Sequence, residues 1–261
     1  MDIFNRLNVY SYMIIFLSII ATIGIVSVGI ENTLPNVLIS VVTASLLDSI
    51  VKYFRSKQFK FQKSGTITGL FIGMLIPTTS PYYIPALAAV LAILIKNIVK
   101  IDGKHIFNPT ASALFIVGVL FSSVASWWAT FSTGYIIYVI IIFGLFIAYT
   151  FKRFGLVTSY LGTFFLILLL LDIFQSIDRQ GPGFVVTNLV LITDPTLLFF
   201  VFFILVEPKT SPFFKKGRII YGASSAVISF IVLTFFPQQN LILALLLSNL
   251  LVPLINWKIK S

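Results

Sequence analysis

Few side chains in this sequence can do chemistry, and their types restrict what that chemistry is. Cysteine is absent, there is one histidine, His105, and eight acidic residues stand among 261. Disulfides, a thiolate nucleophile and iron–sulfur ligation by this chain are therefore excluded, and a self-contained zinc or di-iron site lacks ligands. No metal is expected. Walker A, Rossmann glycine, HExxH and nucleophile-elbow patterns are all missing. What remains is a small set of carboxylates, amides and hydroxyls placed beside prolines.

Asp194-Pro195 has the form of a helix start, with aspartate at the N-cap and proline at the first helical position. Asp194 can act as a cap alone, or it can also line a ligand pocket or an ion path. Glu207 precedes Pro208 at the far end of the same segment. It can contribute to an ion path or pair with Lys209 or Arg218. In Gly103-Lys104-His105-Ile106-Phe107-Asn108-Pro109, Gly103 permits a tight turn, Asn108 can cap, and Pro109 can start a helix. The Asn108 amide could also hold the polar edge of a flat ligand. His105 reads as a polar loop residue. Asn249 and Asn256 read as interhelical hydrogen-bonding residues, and Trp127, Trp128 and Trp257 as interfacial anchors.

Two passages repeat. Residues 77–83 are Pro-Thr-Thr-Ser-Pro-Tyr-Tyr and residues 208–214 are Pro-Lys-Thr-Ser-Pro-Phe-Phe. Each follows a short apolar segment and precedes a long one. Paired short segments interrupted by proline, in corresponding halves of a membrane protein, point to a binding site near the midplane. A broken helix exposes backbone N–H and C=O groups, which lipid does not tolerate unless protein or a cavity receives them. Thr78, Thr79 and Ser80, with Lys209, Thr210 and Ser211, are therefore candidate ligand-binding residues. The same turns could simply end two helices.

The elements that would position these residues are membrane helices. Hydrophobic residues are 58% of the chain and charged residues 10%, against about 25% charged in a soluble domain. A span needs about 20 apolar residues. Apolar runs occur at 11–30, 35–52, 65–76, 82–99, 107–123, 134–151, 155–173, 195–206, 218–236 and 239–256, the third and eighth too short for ordinary crossings. With the N-terminus inside, all basic residues but Arg179 fall in inner segments, Lys96 among them. The positive-inside rule then puts both termini on the cytoplasmic side. Glu31, Asp172, Asp178 and Asp194 lie toward the outside. The expected fold is all-α and integral to the membrane, with about ten segments in two inverted five-segment repeats, residues 1–130 and 131–261. The net charge of +10 reflects inner loops, so nucleic acid is not an expected partner. The stretch Lys52–Lys63 suits anionic lipid or a docking partner.

Four passages resemble the NqrB/RnfD family, membrane subunits of Na⁺-translocating NADH:quinone reductase and of Rnf electron-transport complexes. Thr68-Gly69-Leu70 through Pro77 is similar to the family's "TGLLLALLLP", and Gly103–Pro109 to its "GKHIFNPA". Val206–Gly222 is similar to "TDPVTSP…GKLIYG", and Leu245–Ile255 to "LLMNALVPLID". The resemblance covers most of the chain from about residue 64. It implies ten helices in two inverted repeats, a place in the cell membrane among other subunits of a redox complex, and a flavin.

The family's SGAT-type sequence, which carries phosphoester-linked FMN, is absent. Ser122–Gly134 stands in its place, with Thr130 and Thr133 but not the motif. Glu207-Pro208 also replaces the family's "TDP". The resemblance thus implies FMN or riboflavin held noncovalently, with the two Thr-Ser-Pro turns and Asn108-Pro109 as its places. A small-solute or ion channel, or a structural membrane subunit without cofactor, remains open.

Overall fold

The computed structural model describes residues 8–57, 61–101, 104–131, 133–178, 193–236 and 240–260. Arg179 and Gly103 lie outside these residues. The chain divides into two compact units, Met1–Ile136 and Ile137–Ser261. Among the described residues it is all-helical apart from one two-residue antiparallel pair, Lys100–Ile101 with Lys104–His105.

The first unit is built from α1 (Val9–Val28), α2 (Ile30–Ser56), α3 (Lys63–Leu75), α4 (Tyr83–Ile98) and α5 (Pro109–Phe121), followed by a 3-10 turn over Trp128–Thr130. Gly29, at φ +124°, is the single residue between α1 and α2. No side chain adopts that backbone conformation cheaply. The expected gap at residues 31–34 is thus helical, and α2 runs for 27 residues.

Helix α2 is turned inside out relative to a soluble helix. Thr33, Asn36, Ser40, Ala44, Ser45, Asp48 and Ser49 are buried, whereas Leu38, Val42, Leu46 and Ile50 are exposed. Polar and small residues pack inward and apolar ones face lipid, as the solvent requires. The buried face lies against α3. There Gly65, Gly69 and Gly73 present no side chain: a Cβ at Gly69 would sit 2.5 Å from the Val41 Cα, and one at Gly73 2.6 Å from the Val37 Cα. The close approach lets Ser40 Oγ donate to the Gly69 carbonyl at 2.9 Å.

The second unit holds α6 (Ile136–Thr150), α7 (Phe154–Asp178), α8 (Pro195–Phe199), α9 (Lys215–Phe235) and α10 (Asn240–Lys260). Helix α8 runs directly into a π-helical turn over Phe200–Leu205, and every residue from Leu197 to Val206 is buried. Phe199 and Phe203 stack at 5.1 Å, and the Phe202 ring fills the notch left by Gly144. Gly222 plays the α3 glycines' part here, bringing α9 onto the Leu156 carbonyl of α7. Ser159 Oγ donates to the Ile219 carbonyl at 2.6 Å beside it.

Five helices, α1, α2, α7, α9 and α10, are long and apolar enough to cross a membrane, and the chain is a multi-pass membrane protein. The two short segments are real: α3 has 13 residues, about 20 Å long, less than the about 30 Å of a hydrocarbon core. Trp127 and Trp128 correct the expectation of interfacial anchors. Both are buried; the Trp128 ring packs against Gly24 and its Nε1 donates to the Gly73 carbonyl at 3.2 Å. Trp257 is exposed, as an anchor would be. Asp172 is buried near the C-terminal end of α7.

Gly69→Leu should destabilise the chain by about 3 kcal/mol or more, because the added atoms meet backbone that cannot move aside. Gly162→Ala, where nothing lies within 4 Å of the new Cβ, should leave the melting temperature unchanged or raise it. Thermal unfolding in detergent compares the two.

Candidate functional site

The two repeated turns adopt different hydrogen-bonding arrangements. In the first, Ser80 N donates to the Pro77 carbonyl at 3.0 Å, and Ser80 Oγ lies 3.1 Å from Ser123 Oγ just after α5. Asn36 of α2 reaches in, its Nδ2 donating to the Pro77 carbonyl at 3.3 Å. The Asn36 Oδ1 is buried with no partner among the described residues. Thr78 and Ser80 are half-buried and Thr79 is exposed.

In the second turn Thr210 and Ser211 are buried and already bonded. Thr210 Oγ1 donates to Glu207 Oε2 at 3.4 Å, and Ser211 Oγ to the Glu207 carbonyl at 2.8 Å. Asn249 of α10 donates to the Thr210 carbonyl at 3.2 Å and lies 3.0 Å from the Tyr221 hydroxyl, so it bridges helices as its position in lipid demands. Asn256 Oδ1 accepts from Phe213 N at 3.1 Å. Arg153 Nη1 donates to the Pro212 carbonyl at 2.8 Å and Arg218 Nε to the same oxygen at 3.3 Å. Arg218 thus turns to backbone carbonyls and not to Glu207. Lys209 is half-buried.

Both proline-linked helix starts form as their residue types dictate. Asn108 Oδ1 accepts from Ala111 N at 3.0 Å. Asp194 Oδ1 accepts from Thr196 N at 2.7 Å and Leu197 N at 3.1 Å. The candidate residues do not form one cluster within either unit. Asn108 begins α5, whereas Ser80 meets Ser123 past its other end, a separation of about 20 Å for 13 helical residues. Asp194 and Glu207 likewise bracket the short segment Pro195–Leu205. A ligand large enough to touch both ends would have to span that segment's length. His105 lies in the connection between α4 and α5 and is buried there. Thr130 is buried too, its Oγ1 donating to the Trp127 carbonyl at 2.8 Å.

The structure also shows a charged cluster that sequence reasoning missed. Lys96 Nζ lies 2.6 Å from Asp48 Oδ2, and Ser64 Oγ bridges them, 2.8 Å from the ammonium and 2.9 Å from the carboxylate. The side chains are 10% and 8% exposed, so this is a buried pair tying α4 to α2 through the start of α3. Lys96 is therefore not an inner-loop cation: its backbone lies in the last turn of α4 and its charge is neutralised inside the unit. The available signal was Asp48 itself, a carboxylate within an apolar run, which calls for a partner. The cluster lies at the same end of α3 as Lys63, opposite the Pro77 turn.

Comparison with known proteins matches both halves of the chain. The model described as "NQR2, RnfD, RnfE family" matches residues 5–137 and again 129–261. The D component of an ion-translocating oxidoreductase complex from Shewanella amazonensis is 28% identical over 106 residues, 39% of this chain and 30% of that protein. The protein of the same name from Aliivibrio salmonicida is 28% identical over 101 residues, 37% of this chain and 29% of its own length. The matched stretch thus spans under a third of these curated relatives.

Lys96→Met should cost about 3–5 kcal/mol, because it leaves the Asp48 carboxylate buried and unpaired. The double variant Asp48→Leu/Lys96→Met should recover most of that loss. Thermal melts of the two variants in detergent test this; a single variant as stable as wild type would remove the pair from the account.

Proposed function

We propose that this chain, which belongs to the NQR2, RnfD, RnfE family, is a membrane subunit of an ion-translocating oxidoreductase complex and passes electrons through a noncovalently bound flavin. The family match in both repeats carries the reading, together with the names of the two relatives. The partners would be the other subunits of that complex and the surrounding lipid of the cell membrane. Coupling to Na⁺ or H⁺ would be a property of the assembled complex.

The residues of the first turn fit a flavin, FMN or riboflavin, better than those of the second. Asn36 Oδ1 is a buried acceptor without a partner among the described residues, and the Thr78, Thr79 and Ser80 hydroxyls follow Pro77 beside it. Burying such an atom unpaired costs about 1–3 kcal/mol, which a donor on a flat polar edge would offset. In the second turn the Thr210 and Ser211 hydroxyls are engaged with Glu207, so Lys209, Thr210 and Ser211 are the secondary candidates. Asn108 and Asp194 hold helix starts and would act by placing the ends of α5 and α8. The flavin would supply the electron-transfer chemistry itself. The protein's part is to bind its edge, orient it through the fixed Pro77–Pro81 turn and keep water away with the buried end of α3.

The basic residues support an orientation with both termini cytoplasmic. The odd number of segments between the two Thr-Ser-Pro turns, five, supports reading the two repeats as inverted.

Acid extraction of detergent-purified protein tests the flavin directly. Soluble flavin after precipitation is the expected result, and Asn36→Leu should lower its yield several-fold while leaving the protein helical. Protein without flavin after mild purification would sink the cofactor reading, and flavin retained in the pellet would show covalent attachment. For orientation, the cysteine-free background permits single substitutions Ser56→Cys, Lys152→Cys and Arg179→Cys. An impermeant thiol reagent should label only the last from outside.

A further inference from the structure

Two arginines of the second unit converge with no acid between them among the described residues. Arg153, between α6 and α7, is 4% exposed. Its Nη1 shares the Pro212 carbonyl with Arg218 Nε. The rest of the Arg218 guanidinium donates to the Lys152 carbonyl at 2.9 Å and the Phe213 carbonyl at 2.7 Å. Carbonyl dipoles satisfy hydrogen bonds but do not neutralise two positive charges. Among the described residues neither guanidinium has a carboxylate within 4 Å, and Arg153 Nε is buried with no hydrogen-bond partner. Burial and then the Arg218 charge pull the Arg153 guanidinium down to about 10, so it still carries its charge at neutral pH.

The surroundings point the same way. Helix α9 begins here with Lys215 and Lys216, and it has no acidic residue in its first turn and no side-chain cap. Cations at a helix N-terminus oppose the macrodipole, and unpaired N–H groups collect there. Phe213 and Phe214 are exposed beside this basic cluster, as side chains are where an apolar phase begins.

The geometry points to a phosphate-binding site formed by Arg153, Arg218 and the first turn of α9, able to take a phosphomonoester or phosphodiester anion at the membrane interface. Guanidinium forks match phosphate oxygens bidentately, and a helix start adds backbone donors. The ligand's source is a lipid headgroup, free phosphate or the phosphate of FMN, which share this chemistry. The site stands on this arginine pair and does not depend on the redox reading.

Thermal shift of the full chain in neutral detergent tests it, with dioctanoyl-phosphatidylglycerol, inorganic phosphate and FMN as separate probes, against dioctanoyl-phosphatidylcholine and riboflavin. At least one phosphate carrier should stabilise the wild type more than its control. Arg153→Gln and Arg218→Gln should each weaken that response about tenfold or more, as expected for loss of a charged hydrogen bond. Arg153→Lys, which keeps the charge, should weaken it less. Phosphatidylglycerol alone would identify a lipid site, inorganic phosphate alone a free-anion site, and FMN without riboflavin a nucleotide site. No shift with any of the three, or a shift that survives in both glutamine variants, overturns the proposal. Circular dichroism confirms that each variant is folded, and Arg218→Gln, at a half-buried position, provides the test if Arg153→Gln does not fold.

Discussion

The backbone of α3 lies against that of α2 at Gly65, Gly69 and Gly73, and the first unit is arranged around this contact. In lipid, apolar side chains gain little by leaving the solvent, so close packing and interhelical hydrogen bonds must hold helices together. Three glycines spaced four apart leave a groove along α3, and the small polar face of α2 fills it. The Ser40–Gly69 hydrogen bond exists only at that separation. The same approach brings Asp48 beside Gly65 and Ser64, where Lys96 of α4 can reach it. A side chain at any of the three glycines would push α2 away and leave two charges buried apart.

The second unit reaches an equivalent result by other means. Gly222 permits one close crossing of α9 on α7, and the remaining space is filled by aromatic rings, Phe199, Phe200 and Phe203 of the short segment and Tyr160 and Phe164 of α7. The π-helical turn over Phe200–Leu205 widens the backbone there, a departure often found at functional sites. The two units thus repeat an order of elements while using different side chains, polar and small in one, aromatic in the other.

That difference carries into the paired turns. The Pro77 turn is held by Asn36 from one side, and the Asn36 amide oxygen has no partner among the described residues. The Pro208 turn is held by Asn249, Asn256, Arg153 and Arg218, with its own hydroxyls bonded to Glu207. Two passages alike in sequence therefore offer different chemistry, a neutral polar edge in one unit and a rigid cationic rim in the other.

The sequence by itself determined the membrane class, the two short segments, the repeat and the proline-linked caps at Asn108 and Asp194, because each depends on hydropathy or on bonds within a few residues. Tertiary structure decided the rest. Nothing local reveals that Lys96 turns inward to Asp48, 48 residues away, or that Trp128 is drawn from the interface by the space at Gly24 and the Gly73 carbonyl. Nor does local sequence tell that Asn108 and Ser80 stand at opposite ends of α5, or that two arginines meet at one carbonyl. Those outcomes depend on which helices become neighbours and how closely. In lipid, the residues that set that spacing are the small ones, whose effect appears only once a second backbone lies against them.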